Sequence, residues 1–290
     1  MTGTGQAPIP PVRCGRFTIE FGRRTLVMGI VNMTPDSFAG DGLAGDPGAA
    51  EERGHEMREA GADILDIGGR STRPGAPPVD AAEELRRTIP AVRRLARIAL
   101  PVSIDTFSAR VAAAALDAGA VMVNDVSGLR GDPAMARLVS RAGVPVVVMD
   151  WDDRAGDVIR ETVTFLQGRI ASATAAGIAG TQILIDPGYG FGLRLDQNME
   201  LLRRLREFVA LGRPILIGTS RKGSIGKVLN LPVHQRLEGT AATVAVAIMN
   251  GADVVRAHDV RAIVRVARMT DAIVRGPLRT GGQAAPGAMA

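Results

Sequence analysis

Short apolar runs recur along the chain and are separated by stretches with helical periodicity. The runs are rich in Val and Ile and do not alternate with polar residues, which is typical of parallel strands buried on both faces. A helical pattern follows each run, so the pattern predicts a series of strand–helix units. The eight runs are residues 27–31, 64–67, 102–104, 121–123, 146–149, 183–185, 215–217 and 254–255.

The intervening stretches carry helix start and stop signals. Asp80 and Glu83 have the spacing of a capping box, and Pro90 inside the same helix predicts a kink. Asp132-Pro133 predicts another helix start, because proline is favoured at the first helical position. Four glycines stand where a helix should stop and the next strand begin: Gly61, Gly119, Gly143 and Gly251.

Eight strand–helix units predict an α/β fold, namely a single-domain (β/α)₈ TIM barrel. A doubly wound open sheet is the alternative, but no G-x-G-x-x-G follows the first strand. Residues 13–276 are expected to form the barrel. The Gly-, Pro-, Ala- and Thr-rich ends, 1–12 and 277–290, are expected to be a flexible N-terminus and a flexible C-terminal tail. Residues 19–26 are predicted to form a short leading hairpin or strand.

Composition narrows the class of partner. The 290 residues are 46% hydrophobic and carry a net charge of +5, which suits a globular protein that could favour an anionic small molecule. Aromatic residues make up only 3% and no Lys/Arg block stands out, so nucleic acid is not an expected partner. The single cysteine, Cys14, excludes an internal disulfide and favours a cytoplasmic location. No membrane span or signal peptide is expected.

Polar residues follow the apolar runs directly, and in a barrel the ends of the strands meet at one mouth. Asp105, Asn124 and Asp186 suit a planar aminopyrimidine-like ring, because their oxygens accept hydrogen bonds from ring and exocyclic N–H groups. Asn32 suits Mg²⁺ that keeps most of its water. Groups that suit a phosphate or diphosphate are Thr72, Arg73, Arg256 and His258. Apolar walls are available from Phe38, Pro74 and Phe191.

Ordinary structural roles compete with these assignments. Asp125 and Asp259 are expected mostly to cap helices, and Asp66 fits a buried structural carboxylate as well as a ligand. Trp151 fits a loop anchor as well as a ring-stacking group. Two histidines in helical patterns, His55 and His234, are given no role. The convergence of several polar strand ends on one face is what favours a functional site.

Seven segments together resemble the dihydropteroate synthases, in order, from about residue 26 to 274. They are MGIVNMTPDSF (28–38), DIGGRSTRPG (66–75), SIDT (103–106), VNDV (123–126), IDPG (185–188), GTSRK (218–222) and RAHDV (256–260). The resemblance implies a (β/α)₈ barrel that joins p-aminobenzoate to 7,8-dihydropterin-6-ylmethyl diphosphate, giving 7,8-dihydropteroate and diphosphate. It also implies Mg²⁺ as cofactor and a homodimer formed through the later helices.

Carried over position by position, the resemblance implies a role for each site residue. The pterin set is Asp105, Asn124, Met149, Asp186 and Lys222. The diphosphate set is Asn32, through Mg²⁺, with Thr72, Arg73, Arg256 and His258. The p-aminobenzoate set is Phe38, Thr72, Pro74, Phe191 and Ser220. The catalytic residues would be Asp105, Lys222, Arg256 and His258.

Two positions depart from the family pattern. Arg70 stands where the family usually has Glu, and residues 150–153 replace a turn that usually carries His, Gly and Pro. A pterin-binding paralogue without catalysis therefore remains an alternative. A methyltetrahydrofolate methyltransferase of the same barrel group is another, although it would not need the diphosphate set. Lys222→Ala and Asp186→Asn are expected to abolish tight pterin binding, and Arg70→Glu to change activity far less.

Overall fold

The computed structural model describes residues 9–35, 42–71 and 77–276. A hairpin of β1 (Val12–Cys14) and β2 (Phe17–Ile19) comes first. Eight parallel strands follow, and they coincide with the eight apolar runs. They are β3 (Leu26–Asn32), β4 (Ile64–Gly68), β5 (Val102–Asp105), β6 (Met122–Asp125), β7 (Val146–Met149), β8 (Ile183–Asp186), β9 (Leu216–Ile217) and β10 (Val254–Ala257).

The strands close into a barrel, as the sequence predicts. The sheet order is β8-β7-β6-β5-β4-β3-β10-β9, with every neighbouring pair parallel. The remaining gap is bridged where Ile185 pairs with Ile215 and the Ile185 amide donates to the Pro214 carbonyl at 3.0 Å. The fold is therefore a (β/α)₈ barrel in a single domain.

Helices surround the barrel in the order of the strand–helix units. Their bounds are α1 (Pro47–Ala60), α2 (Ala81–Leu95), α3 (Ala109–Asp117), α4 (Met135–Ala142), α5 (Val158–Ala175), α6 (Leu195–Arg203), α7 (Gly223–Leu229), α8 (Leu237–Met249) and α9 (Val260–Val274). Across the described ranges, no helix has the length and apolar character needed to cross a membrane.

Two helix starts differ from the expectation. At α2 the Asp80 carboxylate accepts from the Glu83 amide, but the Glu83 carboxylate binds Arg86 and Arg87, so only half of the capping box forms. The helix continues through Pro90 to Leu95. Helix α4 begins at Met135, two residues after Pro133, because a turn comes first in which the Asp132 carboxylate accepts from the Ala134 amide. The four glycine stops are confirmed, each with positive φ.

The leading hairpin lies earlier than the sequence suggested. It spans residues 12–19, and Leu26 already belongs to β3. Val12, assigned to the N-terminal segment, begins β1 and is 1% exposed. The cause is burial, because alternate apolar residues of this segment pack against the barrel interior: Val12, Cys14, Ile19 and Phe21. The hairpin thus closes the barrel at the end opposite the strand C-termini.

The barrel interior is layered, and the layering places the site. Side chains two residues apart on a strand face the same way, so the residue two positions after an inward apolar side chain also faces inward. The lower layer, packed with the hairpin, includes Ile64, Met122, Val147, Leu184 and Val254. Two residues further along stand Asp66, Asn124, Met149, Asp186 and Arg256. The upper layer is therefore mostly polar and opens at the C-terminal mouth.

Candidate active site

A cavity of about 390 Å³ opens at the C-terminal ends of the strands. Seven of the residues proposed from the sequence line it: Asn32, Asp105, Phe191, Ser220, Lys222, Arg256 and His258. Three more are almost completely buried in the upper layer of the barrel, namely Asn124, Met149 and Asp186. Phe38, Thr72, Arg73 and Pro74 lie outside the described residues.

An ion-paired network forms the floor of this cavity. Asp66 is fully buried, and one of its oxygens accepts from Arg256 Nε at 2.6 Å and from Asn124 Nδ2 at 3.0 Å. A terminal nitrogen of Arg256 donates to Asp105 at 2.8 Å. Asp66 therefore has a structural role that also serves the site, because it orients the Arg256 guanidinium and the Asn124 amide, two predicted ligand-binding groups.

Two carboxylates of the predicted pterin set have altered acidity. Burial raises the pKa of Asp105 to about 7, with Arg256 opposing the shift and Asp66 adding to it. Burial also raises the pKa of Asp186 to about 6, although its carboxylate accepts from the Gly188 amide at 2.8 Å. A carboxylate whose pKa is raised by burial is more basic, so in its ionised form it is a strong acceptor for a ligand that donates N–H groups.

The loop after β9 is fixed by contacts that the sequence did not reveal. Arg221 has a left-handed φ of 57°, and its guanidinium donates to the Asp259 carboxylate at 2.9 and 2.5 Å. Arg236 donates to the Arg221 carbonyl at 3.0 Å. Asp259 does occupy the N-cap position of α9, but its side chain makes no cap hydrogen bond because Arg221 binds it. Together these contacts of Arg221 fix the backbone that carries Lys222.

Asp125, expected mainly as a helix cap, has a different role. Its carboxylate accepts from the Ser127 amide at 2.8 Å and from the Ser127 hydroxyl at 2.6 Å. The residue therefore caps the turn after β6, several residues before α4 begins. The turn keeps Asp125 fully buried and out of the cavity lining.

Lys222 lies in an unusual environment for a cation. Burial lowers the pKa of its ammonium to about 7, and Asp186 opposes that shift. The Nζ atom stands 3.6 Å from the centroid of the Phe191 ring, a cation–π contact. The Trp151 ring meets Phe191 edge-on, with centroids 5.4 Å apart and planes at 64°. Trp151 also lines the cavity, and its contact with Phe191 is edge-on rather than stacked.

Ser220 and His258 form a second polar pair at the mouth. The Ser220 hydroxyl and His258 Nδ1 are 2.9 Å apart, and the His258 amide donates to the same hydroxyl at 3.2 Å. The imidazole is thereby held beside the cavity at the end of β10. Asn32 reaches the same cavity from the end of β3.

The chain is similar to known pterin-binding proteins along most of its length. Residues 28–258 match the family described as "Pterin binding enzyme". The curated dihydropteroate synthase of Clostridium beijerinckii is 42% identical over 268 residues, covering 91% of this chain and 100% of that protein. The chain belongs to the dihydropteroate synthase family.

Solved members of the dihydropteroate synthase family share its fold closely. The Xanthomonas albilineans enzyme with 4-aminobenzoic acid superposes with a TM-score of 0.86 at 43% identity, covering 91% of this chain and 98% of that one. A complex of the enzyme from the same organism with 7,8-dihydropteroate gives a TM-score of 0.83 at 40% identity, with the same coverage.

Arg70, where a dihydropteroate synthase was expected to carry Glu, has a partner of opposite charge. Its guanidinium lies 3.2 Å from the carboxylate of Glu84 on α2, which is fully buried. It also lies 4.2 Å from the centroid of the Phe107 ring and donates to the Val79 carbonyl at 2.5 Å. Arg70 is therefore built into the wall between the cavity and α2, and burial raises the pKa of Glu84 with Arg70 opposing the shift.

Replacing Arg70 by Glu is expected to lower the free energy of unfolding by about 3–5 kcal/mol, because a buried Glu84 would then face a second carboxylate. Arg70→Met should cost less, since it keeps the apolar stem without adding like charge. The matched control is Arg86→Glu, which breaks an exposed, solvent-screened pair with Glu83 and should cost much less stability than Arg70→Glu. Urea unfolding measures all three, and equal losses for Arg70→Glu and Arg86→Glu would contradict the assignment.

Proposed function

We propose that the protein condenses p-aminobenzoate with 7,8-dihydropterin-6-ylmethyl diphosphate to give 7,8-dihydropteroate and diphosphate, as a pterinylmethyl transferase of folate biosynthesis. The observation that carries the proposal is the polar upper layer of the barrel. Four strands, β3, β5, β6 and β8, end in an acceptor side chain at the C-terminal mouth, and Lys222 and Arg256 are among the cations that line the cavity there. Such a site fits a flat ring rich in N–H donors that carries an anionic leaving group.

In this proposal the pterin ring binds in the upper layer of the barrel. Asp105, Asn124 and Asp186 accept from its ring and amino N–H groups, and Met149 packs on its face. Lys222 donates to the pterin carbonyl edge, which its ammonium can reach from beside Asp186. The carboxylates also stabilise positive charge that develops on the pterin during the reaction.

The diphosphate end would lie between Arg256, whose guanidinium belongs to the floor of the cavity, and His258 at the mouth. Asn32 is the described residue that contributes an oxygen there, and Thr72 and Arg73 are proposed to complete the set. The bond between the pterin methylene and the diphosphate oxygen breaks first, and the negative charge released is held by these donors. The amine nitrogen of p-aminobenzoate then attacks the methylene cation and gives up a proton to solvent. Positioning and electrostatics supply most of the catalysis, because a neutral aryl amine needs no strong base.

The site fits Mg²⁺ only when the diphosphate of the substrate supplies further ligands to the ion. Among the described residues no group of three or more His, Cys, Asp or Glu side chains could hold a metal ion. Asn32 offers one neutral oxygen, and Mg²⁺ commonly combines one or two protein ligands with substrate phosphates and water. The ion would neutralise charge on the leaving diphosphate.

Asn32→Ala is therefore expected to raise the Mg²⁺ concentration needed for half-maximal turnover by about 10-fold. Binding of the pterin alcohol, which carries no diphosphate, should stay unchanged when measured by calorimetry. A Mg²⁺ requirement equal to that of the wild type would contradict the metal assignment without touching the pterin assignment.

The p-aminobenzoate site is proposed beside Phe191 and Ser220, with Phe38, Thr72 and Pro74 completing it. The relative whose structure contains 4-aminobenzoic acid supports this substrate. Mass spectrometry of the product, after incubation with both substrates and Mg²⁺, tests the reaction. Dihydropteroate is the expected product. Methyl transfer from methyltetrahydrofolate in place of that condensation would favour the methyltransferase alternative.

A homodimer is proposed through the last three helices. Eight large apolar side chains on them are exposed, and a patch of that kind usually marks an interaction surface. They are Val228 and Leu229 on α7, Leu237, Val246 and Met249 on α8, and Met269, Ile273 and Val274 on α9. Light scattering after gel filtration should give twice the mass of one chain. A cytoplasmic location stays a prediction that rests on composition alone.

A further inference from the structure

The loop after β7 contacts the glycine-rich loop after β8 along its length. A Cβ atom on Gly188 would lie 1.9 Å from the Asp150 carbonyl oxygen, and one on Gly192 would lie 2.6 Å from an Asp153 oxygen. Both glycines have positive φ, as does Gly190. The two loops therefore approach more closely than side chains would allow, and glycine at these positions makes the approach possible.

Phe191 stands between two of these glycines, Gly190 and Gly192. The backbone around it is fixed, because the Phe191 amide donates to the Gly188 carbonyl at 3.0 Å and the Gly190 amide donates to Asn198 Oδ1 at 2.6 Å. The orientation of the Phe191 ring therefore depends on the contacts of the side chain itself. One face of the ring meets the ammonium of Lys222, and Trp151 meets the ring edge-on. Trp151 is thus the aromatic support of a ring that lines the cavity.

The loop that carries Trp151 is itself held firmly. The Asp150 carboxylate, 3% exposed, accepts from Arg154 at 2.5–3.1 Å. Asp152 pairs with both terminal nitrogens of Arg130 at 2.8 and 2.9 Å. The guanidinium groups of Arg130 and Arg154 both lie against the Phe165 ring, at 4.7 and 5.3 Å from its centroid. The loop that departs from the family pattern is therefore an ordered support for Trp151.

We propose that Trp151 is a positioning residue for the aryl amine substrate. It acts through Phe191: the indole fixes the Phe191 ring, and that ring forms the wall against which the benzoate ring lies while it covers Lys222. The inference rests on the proposed condensation and adds to it a residue that sets affinity for the second substrate. In this protein the loop after β7 thus contributes to p-aminobenzoate selection.

A double-mutant cycle on Trp151 and Phe191 tests the proposal. Trp151→Ala should raise KM for p-aminobenzoate by about 3- to 10-fold, the scale of one aromatic pair, with kcat and the pterin KM within about 2-fold of wild type. Trp151→Phe, the matched control, keeps a ring at the position and should recover most of the affinity. In a Phe191→Ala background the same Trp151→Ala change should not raise this KM further, because the ring through which Trp151 acts is absent.

Several outcomes would overturn the inference. One is an equal loss of p-aminobenzoate affinity for Trp151→Phe and Trp151→Ala. Another is a Trp151→Ala effect that persists in full without Phe191, and a third is a kcat loss with no change in KM. Thermal melting of each variant shows whether the fold is retained. Wild-type protein that forms no dihydropteroate would instead refute the proposed function, so the two failures are distinguishable.

Discussion

Asp186→Asn is expected to weaken binding of the pterin substrate by about 100-fold or more with the fold intact. The side chain is 7% exposed and its carboxylate is an acceptor only, as an N–H-rich ring edge requires. Asn keeps one oxygen, which can still accept from the Gly188 amide, but its NH₂ group would face donors in a buried site. A lost charge-assisted hydrogen bond and an unpaired donor together cost about 3–4 kcal/mol.

Calorimetric titration with the pterin alcohol measures this effect, and pH supplies an internal check. Because the pKa of Asp186 is raised to about 6, the carboxylate of the wild type gains a proton as the pH falls through that value. Wild-type affinity should therefore fall in two steps as the pH falls, near 7 as Asp105 gains a proton and near 6 as Asp186 does. The step near 6 should be absent from Asp186→Asn. The matched control is Asp253→Asn at the opposite end of the barrel, where burial also raises the pKa of the acid to about 6 and the carboxylate accepts from the Ile215 amide. Wild-type affinity in Asp186→Asn would refute the pterin assignment.

Arg256→Met is expected to reduce both stability and turnover strongly. It would leave the fully buried Asp66 and the mostly buried Asp105 as neighbouring carboxyl groups without their shared counter-charge. Breaking a buried pair in this way costs about 3–5 kcal/mol, and losing a donor to the leaving group costs about 10²–10³ in kcat. The stability loss should shrink as the pH falls, because the two carboxyl groups can then bind protons and lose their repulsion.

Adding Asp66→Asn to Arg256→Met separates the two effects. The double variant has one buried carboxylate fewer, so urea unfolding should show part of the lost stability restored. Turnover should stay low, because no cation returns to the diphosphate end. A change of less than about 1 kcal/mol in the single variant would show that the network does not stabilise the fold.

The sequence predicted what depends on local pattern. Buried parallel strands produce apolar runs, so the strand positions followed from the runs. Closure into a barrel was favoured by their number, eight, and by the absence of a G-x-G-x-x-G after the first strand. The polar strand ends also had to meet at one mouth. Asp66 was harder to assign because a carboxylate within an apolar run fits either a ligand or a structural role, and only the contacts to Arg256 and Asn124 show that it joins the two.

Contacts between distant segments could not be predicted in this way. Glu84 reads as an ordinary charged position of an amphipathic helix, and nothing local reveals that it is buried against Arg70. The edge-on contact of Trp151 with Phe191 joins two loops 40 positions apart, and a single sequence does not encode which loops meet. The hairpin was misplaced for a similar reason, since the residues that bury its apolar side chains lie in the barrel interior, far away in the sequence.

The most direct test of the central claim is diphosphate release by the purified protein, given dihydropterin-methyl diphosphate and Mg²⁺, with and without p-aminobenzoate. The account predicts release that depends on p-aminobenzoate, with one dihydropteroate formed per diphosphate. Under that result the site is catalytically competent with Arg70 and with the loop at 150–153 in place. Pterin binding without any release of diphosphate would contradict the account and indicate a paralogue that binds pterin but does not catalyse.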